Sequence, residues 1–237
     1  MPDASLQQLL RRPDLWQGLR HNGSGEERRP TGLAELDRVL RGGWPAAGLT
    51  ELLCTPGCVT TLHLLLPALA EAGREGPVFL VNPPLTPFAP ALESRGLAPS
   101  RVRILRAARR ETLLRAAREA AASQAVPALV LWSPGRPLPG RELGRLHRAA
   151  RAGRCLLLLI QPLSGAPETS PAPVRLELAP HPSGKLRVQI RKHSGGRAGQ
   201  VLQLDVLPDF LRHPPPETAA MAPPGRMKTP TAQQVCS

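Results

Sequence analysis

Between Thr31 and Leu207, short apolar runs alternate with longer Ala/Leu/Arg stretches, and this alternation limits the choice of fold more than any other feature. The runs Leu49–Leu53, Val78–Val81, Val102–Leu105, Ala128–Trp132, Cys155–Ile160, Val174–Leu178, Leu186–Ile190 and Val201–Val206 read as strands. Gly32–Leu40, Leu62–Ala72, Pro87–Arg95, Glu111–Ser123 and Arg141–Arg151 read as helices. Strand and helix in succession predict an α/β fold, with a mostly parallel central sheet and helices on both faces. Val130–Trp132 and Leu156–Ile160 are continuously apolar, as strands covered on both sides require. The last three strands follow one another without a helix, so a C-terminal antiparallel section is expected. With no Tyr, three Phe and three Trp, the core has to be aliphatic.

Outside this region the pattern stops. Residues 1–29 read as a leader, with Asn22-Gly23-Ser24-Gly25 as a flexible break. Residues 208–237 carry seven prolines in 30 positions and little apolar material, so this tail is expected to be disordered or to fold only against a partner. The core is expected over residues 30–207. The longest apolar run, Cys155–Ile160, is too short to cross a bilayer. The first ten residues lack the basic-then-apolar order of a signal peptide. Four scattered cysteines make no disulfide framework, and a reducing cytoplasm is the expected location.

The formal net charge is +13, a field that favours nucleic acid or another polyanion. Of the 31 basic residues 28 are Arg, which codon bias explains; bias does not explain the shortage of Asp and Glu. Arg109, Arg110, Arg115 and Arg118 lie on or beside one predicted helix, and Arg141, Arg145 and Arg148 recur on another. Solvated helix faces account for both sets as well as binding does. Lys185, Arg187, Arg191, Lys192, His193 and Arg197 sit instead on a predicted hairpin with Ser194-Gly195-Gly196 at its turn. They form the densest basic cluster with no acid beside it in the chain, and alternation directs Lys185, Arg187 and Arg191 to one face. The cluster is the leading candidate for phosphate contact or for meeting an acidic partner. No aromatic residue interleaves it, so base stacking has little support.

The run from Thr31 to Leu52 is more specific. Thr31-Gly32, Leu36-Asp37, Gly42-Gly43, Pro45, Gly48 and Glu51 fall in a pattern that resembles the entrance to a RecA-type ATPase core. Phe79-Leu80-Val81, the helix end at Leu92–Leu97, the strand Ala128–Ser133 and Leu158-Leu159-Ile160-Gln161 agree with that family in order and spacing. The resemblance covers about residues 30–207 and implies a RecA-like fold.

Its nucleotide chemistry does not carry over. A working phosphate loop reads G-x-x-x-x-G-K-[ST], with glycines that let backbone amides close on phosphate and a lysine for the terminal phosphates. The matching stretch runs from Cys54 to Thr61. Cys54 and Val59 replace the outer glycines, Gly57 lies inside the loop, Thr60 occupies the lysine position, and only Thr61 remains as a magnesium-side hydroxyl. Trp132 falls where the metal-positioning Asp belongs, and Asn82-Pro83-Pro84 where the water-activating Glu belongs. Gln161 matches the sensor glutamine, and the following Pro162–Pro173 stands in place of the mobile DNA-contacting loop but carries no arginine. Positioning and electrostatics are nearly all of phosphoryl-transfer catalysis, so these losses imply no ATP hydrolysis, no nucleotide cofactor and no enzyme.

Among RecA relatives, the Thr31–Leu52 run, the missing lysine, the Leu64-Leu65-Leu66-Pro67-Ala68-Leu69-Ala70 stretch and the proline-containing tail resemble the ImuA family. Those are bacterial accessory proteins of translesion DNA synthesis, also described as SulA-like or RecA-like. The resemblance implies partners of three kinds: an ImuB-type polymerase-like protein, an error-prone DnaE-type polymerase complex, and RecA, with DNA as a further candidate and no membrane. It also implies a place at the bacterial nucleoid when assembled. A divergent DNA-dependent ATPase and a SulA-like cell-division inhibitor are the alternatives.

Other chemistry is scarce. Cys54, Cys58 and His63 have no second ligand pair, so no metal site is expected, and small side chains filling a defunct loop explain the cysteines. Cys155 reads as a small core hydrophobe, Cys236 as a tail thiol and Ser133 as a turn residue. There is no G-x-S-x-G elbow and no H-E-x-x-H.

Overall fold

A computed structural model describes residues 27–56, 58 and 60–207. The leader to residue 26, the tail from residue 208 with Cys236, and the loop positions Gly57 and Val59 lie outside the described residues. In chain order the strands are β1 (Arg28–Arg29), β2 (Trp44–Pro45), β3 (Gly48–Cys54), β4 (Val78–Val81), β5 (Val102–Leu105), β6 (Ala128–Trp132), β7 (Leu156–Pro162), β8 (Val174–Pro180), β9 (Leu186–His193) and β10 (Val201–Leu204). The helices are α1 (Ala34–Val39), α2 (Thr61–Glu75), α3 (Ala89–Glu93), α4 (Arg110–Ala122) and α5 (Gly140–Ala152), with a 3₁₀ turn at Pro99–Arg101.

Eight strands form one sheet in the order β10-β9-β8-β3-β7-β6-β4-β5. From β8 to β5 every neighbouring pair is parallel; β8–β9 and β9–β10 are antiparallel. The fold is therefore a mixed α/β fold with a largely parallel sheet, a C-terminal antiparallel section and flanking helices. Strand alternation divides the apolar residues between two cores. Leu52, Val130, Leu158 and Leu176 join Leu36, Leu64, Leu69 and Leu92 from α1, α2 and α3 on one face. Leu49, Leu129, Leu157 and Leu159 join Leu113, Ala117, Leu143 and Leu146 from α4 and α5 on the other. Removing each such leucine from water stabilises the fold by roughly 1.5–3 kcal/mol, which is what holds a sheet so poor in aromatics.

The Thr31–Leu52 run folds as a helix, a glycine turn and a short ribbon. Asp37 accepts a hydrogen bond from the Thr31 amide at 2.7 Å, and Leu36, Leu40 and Trp44 are fully buried. β1 and β2 pair antiparallel, with Arg29 opposite Trp44. Arg29 also grips Glu75, at the end of α2, through both guanidinium nitrogens at 2.6 and 3.0 Å. Gly32 has φ +83°, and a Cβ there would lie 2.4 Å from the Pro67 Cβ in α2. The two stretches that carry the ImuA resemblance thus meet at a position open only to glycine.

One connection departs from the helical pattern. β7 and β8 both run parallel to β3 on its two sides, so residues 163–173 must cross β3, and they do so without a helix. A helix satisfies its own amides and carbonyls, whereas a coil crossing leaves them in need of other partners.

Candidate functional site

In an open α/β sheet, ligands bind outside the carboxyl ends of the strands. The register brings four such ends together here. Cys54 pairs with Pro162 and Leu178, Trp132 with Ile160, and Val81 with Leu131, so Cys54, Asn82, Trp132 and Gln161 share one edge. These are residues that the RecA resemblance singles out, and the structure gathers them.

Their polar atoms face inward. The Thr61 hydroxyl donates to the Cys58 carbonyl at 3.1 Å and lies 3.4 Å from both the Cys54 and Cys58 sulfurs. Asn82, held at φ +56°, donates its side-chain amide to the Trp132 carbonyl at 3.2 Å. The Trp132 ring packs on the core of the α2 face. Gln161 accepts from the Leu138 amide at 3.0 Å and donates to Glu51 at 3.2 Å. Ser133 bonds the Arg136 carbonyl, as a turn residue does. Two arginines reach the same edge and are likewise engaged. Arg110 donates to the Pro134 and Pro137 carbonyls at 2.9 and 3.4 Å, and Arg106 to the Pro83 carbonyl and Thr86 hydroxyl at 3.4 and 3.2 Å.

The thiols differ in acidity. Burial pushes Cys155 up to about 12, against the opposing field of Arg29. Cys54 is raised, first by the bond it donates toward Cys58 and then by burial. That same contact lowers Cys58, burial opposes it, and Thr61 adds to the lowering, which leaves Cys58 at about 7. His63 is lowered by burial and by the charge of Arg95. Among the described residues no group of three His, Cys, Asp or Glu side chains converges as a metal site would require.

The sequence reading missed a buried network that starts beneath this edge. Glu51, fully buried on β3, accepts from Arg175 Nε of β8 at 3.2 Å, from Gln161, and from the Ser170 hydroxyl. Arg175 donates its other nitrogens to the carbonyls of Glu168 and Pro167, both at 2.7 Å. Lys192 donates to the Ser170 carbonyl at 2.7 Å; burial lowers its pKa, Arg175 adds to that, and Glu51 opposes it. These bonds supply the partners that the coil crossing lacks. The segment after Gln161 is thereby tied down in the place where the resemblance puts a mobile loop. The available signal was two opposite charges, Glu51 and Arg175, inside mainly apolar strands; a strand covered on both faces tolerates buried charges only as a pair.

The basic hairpin forms as expected, but one feature of it is corrected. The sequence shows no acid beside it, yet the register puts Glu177 of β8 opposite Gln189 of β9. Glu177 lies 3.7 Å from Arg187 and 3.4 Å from Arg191, because register sets cross-strand neighbours that chain spacing cannot show. A bulge opposite Arg175 and Leu176 breaks the strict alternation at Arg191 and pairs Lys192 with Arg175. Lys185 and Arg197 are exposed in the turns on either side of β9. His193 is buried. On the helices, Arg118 and Arg145 clasp Glu142 at 2.9 and 2.8 Å, with Arg141 at 3.8 Å. Arg109, Arg115 and Arg148 stay exposed, as a solvated face predicts.

Among the described residues no helix is long and apolar enough to cross a membrane. No family model matches the chain, and no curated protein matches it.

Proposed function

We propose that this chain is a RecA-like, ImuA-type scaffold of a translesion synthesis complex, without ATPase activity, that positions a polymerase-like partner. The observation that carries the reading is the occupied strand-end edge. At the positions of nucleotide chemistry, Thr61 and Asn82 bond to backbone carbonyls, Gln161 bonds to the Leu138 amide and to the buried Glu51, Trp132 packs on the core, and no lysine stands among them. Charge adds support: the chain carries a surplus of +13. On the hairpin Lys185 and Arg197 are exposed while Arg187 and Arg191 share the one acid Glu177, which leaves a net positive face for an acidic partner or phosphates. The core supplies a rigid surface, and the leader and tail are the segments proposed to order on a partner.

Two measurements test this. Mg-dependent ATP turnover is expected to be absent, and turnover abolished by Thr61→Ala would replace the scaffold with a divergent ATPase. In a pull-down, an ImuB-type protein or RecA is expected to be captured without DNA and to resist moderate salt. Retention of DNA alone, with a steep salt dependence, would make the chain a basic DNA-binding module. In that case Lys185→Ala, Arg187→Ala and Arg191→Ala together are expected to flatten the salt slope by roughly 0.9 for each phosphate no longer neutralised.

A further inference from the structure

The paired thiols at the end of β3 pack against the core of the α2 face, but their sulfur chemistry has no part in the proposed scaffold. Cys58 donates its amide to the Thr55 carbonyl at 3.3 Å, which holds Cys58 close to the end of β3. Both sulfurs lie 3.4 Å from one oxygen, Thr61 Oγ1, so they are separated by no more than twice that distance. Neither residue is fully buried, whereas Cys155 is sealed in the core. A pair of near, partly accessible thiols in one turn is the arrangement that thiol–disulfide exchange needs.

We propose that Cys54 and Cys58 are a reversible dithiol site that exchanges with low-molecular-weight disulfides such as oxidised glutathione. Cys58 is the attacking group: its sulfur, as thiolate, adds to one glutathione sulfur, and the S–S bond breaks to release the first glutathione thiolate. Cys54 then gives its proton to solvent and attacks the Cys58 sulfur. The Cys54–Cys58 bond forms and the second glutathione leaves as thiolate. Two protein thiols are oxidised and one glutathione disulfide is reduced to two thiols. The lowered pKa of Cys58, which keeps it partly thiolate at neutral pH, suits it to the first step, and the raised pKa of Cys54, which keeps it protonated until the mixed disulfide has formed, suits it to the second. Joining the sulfurs also removes two partners from Thr61, so the oxidation state is felt at the N-terminus of α2.

The test uses the full chain in glutathione buffers of graded oxidation, followed by acid quench, alkylation and mass spectrometry of tryptic peptides. Cys54 and Cys58 fall in one peptide, residues 42–74, because no Lys or Arg lies between Arg41 and Arg74. The expected product is that peptide lighter by two hydrogens, restored by a dithiol reductant. Cys54→Ser is expected to trap Cys58 as a lasting glutathione adduct, while Cys58→Ser leaves Cys54 unmodified. In the unmodified chain, Cys58 is expected to alkylate roughly a hundredfold faster than Cys155 at neutral pH. The proposal is overturned if the native protein never yields the lighter peptide, or if Cys155 is modified as fast as Cys58. The wild-type readouts stand even where a variant folds poorly.

Discussion

Arg175→Ala is expected to cost about 3–5 kcal/mol of folding stability, the scale for breaking a buried ion pair by removing one partner. The Arg175 side chain is 8% exposed and that of Glu51 0%, so solvent cannot replace what is lost. Removal leaves the Glu51 carboxylate with Gln161 and Ser170 alone, and takes the donor from the Pro167 and Glu168 carbonyls. In a chain of this size that corresponds to a fall in Tm of roughly 6–20 °C, at 2–4 °C per kcal/mol. Urea unfolding read by circular dichroism measures it. The double variant Glu51→Leu, Arg175→Met separates two contributions. Replacing a buried pair by apolar groups is often neutral, but here the two carbonyls would still lack donors, so recovery is expected to be partial. Stability of Arg175→Ala within about 1 kcal/mol of the parent, the level of an exposed pair, would show that the network does not hold the crossover.

This network also marks where the sequence stopped being legible. Strands β4, β5 and β6 were readable to the residue: β4 and β6 are continuous apolar runs that start directly after Pro77 and Pro127, and β5 is a short, mainly apolar run set between Arg101 and Arg106. β7, β8 and β9 ran two or three residues past the apolar stretches, since backbone pairing continues through Gln161, Ala179 and Arg191–His193 whatever their side chains. The ribbon of β1 with β2 was not foreseen: two-residue strands have no periodicity, and Arg28 and Arg29 read as part of the leader. The candidate site split in the same way. Which residues reach the carboxyl edge could be read from the strand ends together with the RecA resemblance. What their side chains bond to did not, because Leu138, Glu51 and the Trp132 carbonyl come from distant parts of the chain. Glu177 escaped notice beside the basic hairpin for the same reason: it is adjacent only after β8 and β9 pair.

Gly43→Ala is expected to destabilise the protein by about 2–5 kcal/mol, combining backbone strain with overpacking. Gly43 adopts φ +114°, a region that L residues avoid, and its added Cβ would stand 2.1 Å from the Arg29 carbonyl oxygen and 2.9 Å from the Pro30 Cα. Both obstacles are backbone, so no rotamer change relieves them. Relief requires β1 to move off β2, which pulls on the Arg29–Glu75 pair and uncovers Trp44, now fully buried. Gly42 provides the control. Its φ of +109° imposes nearly the same strain, but its Cβ would meet only the Arg28 side chain at 3.5 Å or more. Gly42→Ala should therefore cost only about 1–3 kcal/mol, the backbone part alone. Paired urea melts of the two variants, read by circular dichroism, isolate the clash as their difference. Equal losses would mean that the Thr31–Leu52 run requires its glycines for conformation only, and that the close approach of β1 contributes nothing to holding the ribbon on α2.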